Sequence, residues 1–191
     1  TNQYKSSYYS PYFEPMYQQF LPNYTQPIFE QTRNNNFMND VVSYLIISDP
    51  SFGNSLEPFI EWKKEKGFHV TVAYTNNIGS SASAIKSYVQ DQYNNPPNNM
   101  PPPSFVLFVG DTPQIPASYS NGGHVSDLDY CDFSNDNIPD VLCGRFSGQN
   151  TNHISSQIDK TLQYEQYTMP DPSFLGNVLM ISGVDSNYAP T

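Results

Sequence analysis

Residues 104–111 read SFVLFVGD, in which five apolar residues from Phe105 to Val109, mostly β-branched or aromatic, stop abruptly at Gly110-Asp111. A run this short, with prolines before it and a polar turn after it, predicts a strand buried on both faces at the middle of a sheet. Three further stretches repeat the design: VVSYLIIS at 41–48 before Asp49, DVLC at 140–143 before Gly144-Arg145, and NVLMISG at 177–183 before Val184-Asp185. With FHVTVAY at 68–74 they alternate with segments of helical spacing. Strand, helix, strand, helix is the pattern of an α/β domain built on an open, mostly parallel, doubly wound sheet with helices on both faces. In such sheets functional groups collect at the carboxyl ends of the strands. Asp49, Asp111, Arg145 and Asp185 are therefore expected on one rim.

The intervening helices carry their own signals. Asn54 with Glu57 has the form of a capping box, Pro58 is tolerable in a first turn, and Leu56, Phe59, Ile60 and Trp62 lead to a C-terminal Gly67. Lys63, Lys64 and Lys66 read as the solvated face near the end of that helix. Ser80 or Ser81 opens a second helix with Ala84, Ile85, Tyr88 and Val89 on one face, and NNPPNNMPPP at 94–103 then forces a surface connection. Thr151 or Asn152 opens the last helix, which carries Ile154, Ile158 and Leu162 and is ended by Pro170 and Pro172.

Residues 1–40 differ, with many Tyr, Gln, Asn and Pro and no sustained period. They read as an extended arm or linker holding one short amphipathic turn from Phe13 to Leu21, whereas residues 41–191 form the α/β unit. At 191 residues and 37% apolar content the chain can fill one core. Its net charge of −10, from 18 acids against 8 basic residues, excludes a phosphate-backbone partner, so no nucleic acid is expected. No apolar run of about 20 residues exists to span a membrane, and no charged-then-apolar leader opens the chain. Cys131 and Cys143 have no metal-ligand spacing, and Cys143, in a buried strand, reads as an inert core thiol.

Between Thr112 and Pro139 the sequence is irregular and acidic. Asp127, Asp129, Asp132, Asp136 and Asp140 cluster among small polar residues, a set of oxygen ligands suited to calcium, although the spacing is not that of an EF-hand loop.

From Tyr44 to Asp185 the chain resembles the first half of the catalytic domain of gingipains, cysteine endopeptidases of the caspase-like clan. The pieces that carry the resemblance are FIEWKKEKGFHVTV, AIKSYVQDQY, VLFVGDTPQIPA, Ser126-Asp127, Asn135-Asp136, GRFS, QIDKTLQYE and LGNVLMISGVD, in that order. The resemblance implies two side-by-side α/β subdomains, of which this chain supplies the first. The nucleophilic Cys and the catalytic His would come from the second, which this chain needs as its partner to act on a protein or peptide substrate. Neither motif occurs here, and Cys131, Cys143 and His124 do not stand in for them. Asp185, nine residues after Gly176, matches the acid that orients the catalytic imidazole. There a carboxylate fixes the tautomer and stabilises the imidazolium formed as the thiol ionises. The resemblance also implies structural calcium, with Asp111, Asp127 and Asp136 in matching motifs, a secreted or cell-surface location, and a zymogen, because residues 12–30 resemble the tail of an inhibitory pro-domain. The usual processing Arg is not at the expected place, and Arg33 lies a little beyond it. A gingipain-like module kept for structure or surface assembly is the non-enzymatic alternative. A flavodoxin-like or response-regulator-like domain is disfavoured by the acidic rim without a Gly-rich phosphate loop.

Overall fold

The computed structural model describes residues 12–20, 41–97, 100–119 and 125–180. Four parallel strands form the central sheet: β1 (Val42–Ser48), β2 (Phe68–Tyr74), β3 (Pro103–Val109) and β6 (Leu142–Phe146), in the order β2-β1-β3-β6. Between β3 and β6 the acidic passage folds a small antiparallel ladder of β4 (Ser118–Tyr119) and β5 (Val125–Ser126) and a tight turn at Leu128–Tyr130. The doubly wound α/β expectation holds, because α2 (Gly53–Glu65) crosses from β1 to β2 on one face and α4 (Ala82–Asn94) returns to β3 on the other. The one-turn helix α3 (Thr75–Ile78) precedes α4, and α5 (Thr151–Gln166) follows β6 on the α2 face.

Alternation along the strands divides the core into two layers. Leu45, Ile47, Val106 and Phe108 meet Ile85 and Val89 of α4 together with Tyr130 and Cys131 of the acidic passage. Ile46, Leu107 and Val109 meet Phe52, Leu56, Phe59 and Ile60 from the first connection and Ile154 and Ile158 from α5. Both faces of β1 and β3 are covered, which explains why their sequences are continuously apolar rather than alternating. Asp49 caps the turn at Pro50–Phe52 by accepting from the Ser51 N–H at 2.9 Å, so α2 begins at Gly53 without the Asn54 capping box. Ser81 caps α4 as expected, accepting from the Ala84 N–H at 3.2 Å, and Asn150 caps α5 one residue ahead of the expected start. Gly67, at φ 91°, ends α2 in a conformation that side chains resist.

Three expectations are corrected. Lys63 is buried rather than solvated. Its ammonium meets Glu165 of α5 at 2.6 Å and lies 5.0 Å from the Phe59 ring centroid, while Trp62 donates its indole N–H to the same carboxylate at 2.8 Å. Helix spacing placed Lys63 correctly, but a carboxylate on the adjacent helix compensates its charge, so the long stem packs in the interhelical seam. The fourth core strand starts at Leu142, two residues later than read, and Arg145 lies within it, in register with Phe108. Cys143 is exposed at the open edge of the sheet rather than buried, because β6 pairs with β3 alone among the described strands.

Residues 177–180, the described part of the expected last strand, join no ladder, and Val178, Leu179 and Met180 are exposed. At the opposite, amino end of the strands, Tyr12 precedes the helix α1 (Phe13–Phe20). Its ring packs edge-on to Phe105 at 4.7 Å, in a cluster that includes Tyr44 and Phe68.

Candidate functional site

The chain leaves β1 toward β2 and returns to β3 on β1's other side, so the connections diverge between the carboxyl ends of β1 and β3. That divergence is where open α/β sheets form a crevice. Backbone hydrogen bonds extend the sheet beyond its last ladder residues there. The Asp49 N–H donates to the Val109 carbonyl at 3.3 Å, the Gly110 N–H to the Phe146 carbonyl at 2.9 Å, and the Asp111 N–H to the Gly148 carbonyl at 3.1 Å. Gly110 turns the chain at φ 137°, where a Cβ would stand 2.9 Å from the Cβ of Gln114.

Asp111, at this turn, is half-buried and multiply bonded. Its Oδ1 accepts from the Thr112 N–H at 2.8 Å and the Ser147 hydroxyl at 3.2 Å, and its Oδ2 from the Gln149 amide at 2.9 Å. The Gln149 bond foremost, then the Thr112 N–H, holds its carboxyl below the usual range. The side chain is therefore an anion tied to the turn after β6.

Arg145 organises the other side of the rim. Its Nε and Nη2 donate to Asp127 Oδ2 and Oδ1 at 2.8 and 2.6 Å, a bidentate pair. Its Nη1 donates to the carbonyls of Gly110 and Ile115, both at 2.9 Å, while the guanidinium lies over Phe108 at 5.7 Å from the ring centroid. One cation thus fastens the exit turn of β3, the start of the acidic passage and β6. Its sequence signal is an Arg just after an apolar run, which predicts a place on the rim but not the pairing with Asp127.

Asp49, Asp111 and Arg145 share the rim as expected, and Asp185 lies outside the described residues. The acids expected to hold calcium are spent on other partners. Asp127 faces Arg145, Asp136 accepts from the Ile138 N–H at 2.9 Å, and Asp111 belongs to the β3 turn. Asp132 accepts from the Asn137 N–H at 2.9 Å and Asp140 from the Phe133 N–H at 2.7 Å, so the loop is held by carboxylate-to-backbone bonds. Among the described residues no three His, Cys, Asp or Glu side chains are placed to hold a metal. Asp111, Asp127 and Asp136 as arranged do not fit one calcium ion, since a guanidinium occupies the position a cation would take beside Asp127. Nor, among the described residues, is a cysteine placed with a histidine: Cys131 is buried and Cys143 is exposed in β6. The described rim offers anions and fixed backbone.

The chain is 32% identical over 185 residues to Lys-gingipain of Porphyromonas gingivalis, covering 95% of this chain and 10% of that protein. To gingipain R2 of the same species it is 28% identical over 176 residues, 91% of this chain and 23% of that one. Among solved structures, the complex of Porphyromonas gingivalis RgpB pro- and mature domains superposes with a TM-score of 0.56 at 31% identity, covering 63% of this chain and 29% of that one. The Arg-specific cysteine proteinase gingipain R gives 0.57 at 30% identity, over 64% and 28%. A further structure, described as a protease, gives 0.69 at 33% identity, over 77% and 33%. The chain thus spans a tenth to a third of the proteins it resembles. Residues 38–191 match the model of peptidase family C25, which takes in the whole sheet, the rim and Asp185, and the chain therefore belongs to that family.

Proposed function

We propose that this chain is the amino-terminal scaffold of a gingipain-like cysteine endopeptidase, and that Asp185 orients the imidazole of a histidine carried by a second α/β subdomain. A thiolate of that subdomain attacks the peptide carbonyl, the imidazole protonates the leaving amine, and water then hydrolyses the acyl-enzyme. Asp185 accepts the second ring N–H, keeps the correct tautomer and stabilises the imidazolium. The observation that carries this reading is the family match over residues 38–191, which includes Asp185, together with a sheet whose strand ends meet on one rim.

The substrates are proteins or peptides, and the protein works after export, at the cell surface or beyond. Residues 12–30 belong to a pro-segment; the pro- and mature-domain complex of RgpB supports a zymogen arrangement. Calcium has no assigned place on the described acids.

The test uses the full-length protein and a thiol-alkylating peptide inhibitor, with peptide mapping of the labelled cysteine. Label on a cysteine downstream of residue 191 is expected. In the Asp185→Asn variant kcat should fall by about 10⁴, the loss typical when an orienting carboxylate is made an amide. No labelled cysteine would instead favour a module retained for structure or surface assembly. Normal kcat in the Asn variant would remove Asp185 from the mechanism.

A further inference from the structure

Three aromatic rings meet where the strands begin, at the end of the sheet opposite the rim. Phe68 opens β2, Tyr44 and Phe105 lie opposite each other near the starts of β1 and β3, and strand alternation puts all three on the α2 face. Tyr44 stacks on Phe105 at 5.6 Å and meets Phe68 edge-on at 5.7 Å, while Phe68 and Phe105 meet edge-on at 5.8 Å. The Lys63 ammonium lies 5.6 Å from the Tyr44 centroid and 5.7 Å from that of Phe68. A fourth ring arrives from outside the α/β unit. Tyr12 stands edge-on to Phe105 at 4.7 Å, with 75° between the planes, and is stacked on Phe68 at 6.2 Å and 26°. Edge-on and offset contacts of this kind are those that ring quadrupoles favour.

Helix α1 has eight residues, and isolated helices shorter than about 12–15 residues are marginal in water, so α1 needs an outside contact to stay folded. Tyr12, the residue just before it, is seated on the sheet, while Met16 and Phe20, one and two turns further on, are exposed. We infer that the cluster of Tyr44, Phe68 and Phe105 is a docking surface for the amino-terminal segment of this same chain, with Tyr12 as its anchor. Helix α1 is folded only while that ring is seated. The surface selects a flat aromatic ring, because what it offers is ring faces and ring edges; an aliphatic side chain would keep some apolar contact and lose the quadrupole fit. One consequence rests on reading residues 12–30 as the pro-segment. The anchor then holds that segment to the subdomain at the pole away from Asp49 and Asp111, by a contact that leaves the rim free.

The test is hydrogen exchange of the full-length protein, read by mass spectrometry on peptides covering residues 13–20, β1 and α5. In the unaltered protein and in Tyr12→Phe, the 13–20 peptide should exchange at least about tenfold more slowly than unstructured chain. In Tyr12→Ala it should exchange at the unstructured rate. The β1 and α5 peptides should keep their protection in all three, because Tyr12 retains 41% exposure and lies outside both core layers. Unprotected exchange of residues 13–20 in the unaltered protein would overturn the anchor, as would undiminished protection in Tyr12→Ala. Tyr12→Phe behaving like Tyr12→Ala would show that ring packing is not what holds the segment, and loss of protection throughout Tyr12→Ala would make Tyr12 part of the core. Exchange is measured without reference to activity, so this outcome is independent of the inhibitor labelling.

Discussion

Replacing Arg145 with Met tests whether one guanidinium holds the rim together. The substitution keeps the length of the stem and removes four hydrogen bonds: two to Asp127 and one each to the Gly110 and Ile115 carbonyls. Breaking a buried ion pair by deleting one partner costs about 3–5 kcal/mol, because the remaining charge keeps its desolvation penalty. The Arg145 and Asp127 side chains retain 13% and 21% exposure, so water recovers part of that cost for Asp127 and about 2–4 kcal/mol is expected. At about 2–4 °C per kcal/mol for a chain of this size, the melting temperature should fall by about 4–16 °C. Urea unfolding can be followed by fluorescence of Trp62, the only tryptophan, whose indole bonds Glu165. Combining Arg145→Met with Asp127→Asn should cost less than the sum of the single changes by about 1–3 kcal/mol, since no charge is then left alone. A loss below about 1 kcal/mol for Arg145→Met, or single changes that add to within about 0.5 kcal/mol, would refute the clamp.

Glu165 makes stability depend on acidity. Burial pushes its carboxyl up, but the Lys63 and Trp62 hydrogen bonds and the Lys63 and Lys66 charges outweigh burial and hold it below the ordinary 4.5. A depressed folded-state value stabilises fully above 4.5 and is lost as pH falls through the folded value. Glu165→Gln should therefore lower the urea midpoint near neutrality and converge on the unaltered protein in acid, and an equal loss at both pH values would argue against this linkage. Gly110→Ala should cost at least about 2 kcal/mol, from a side chain forced to positive φ and onto Gln114; an unchanged urea midpoint would show that the turn can relax.

The two central strands were legible because they are short, apolar and followed by Asp49 or Gly110, and burial on both faces requires that composition. Phe105 to Val109 and Val42 to Ser48 needed no tertiary information. Ser81 was legible as a cap because capping is local. Contacts between distant elements were not. Lys63 looks like any helix-surface lysine until α5 brings Glu165 against it, and Arg145 looks like a rim cation until Asp127 folds back from 18 residues upstream. The carboxylates from Asp132 to Asp140 share a composition with cation-binding loops, and only the backbone tells whether their oxygens face an ion or the loop's own N–H groups.

The parallel topology has an electrostatic result. Helices α2, α4 and α5 each begin shortly after the carboxyl end of a strand, so each presents its unpaired N–H groups, the positive pole of its dipole, toward the same end of the sheet. Asp111 is therefore an anion in a neighbourhood that favours negative charge, although the chain as a whole carries −10. The winding that built the core also lowers the cost of keeping that carboxylate ionised on the sheet's edge.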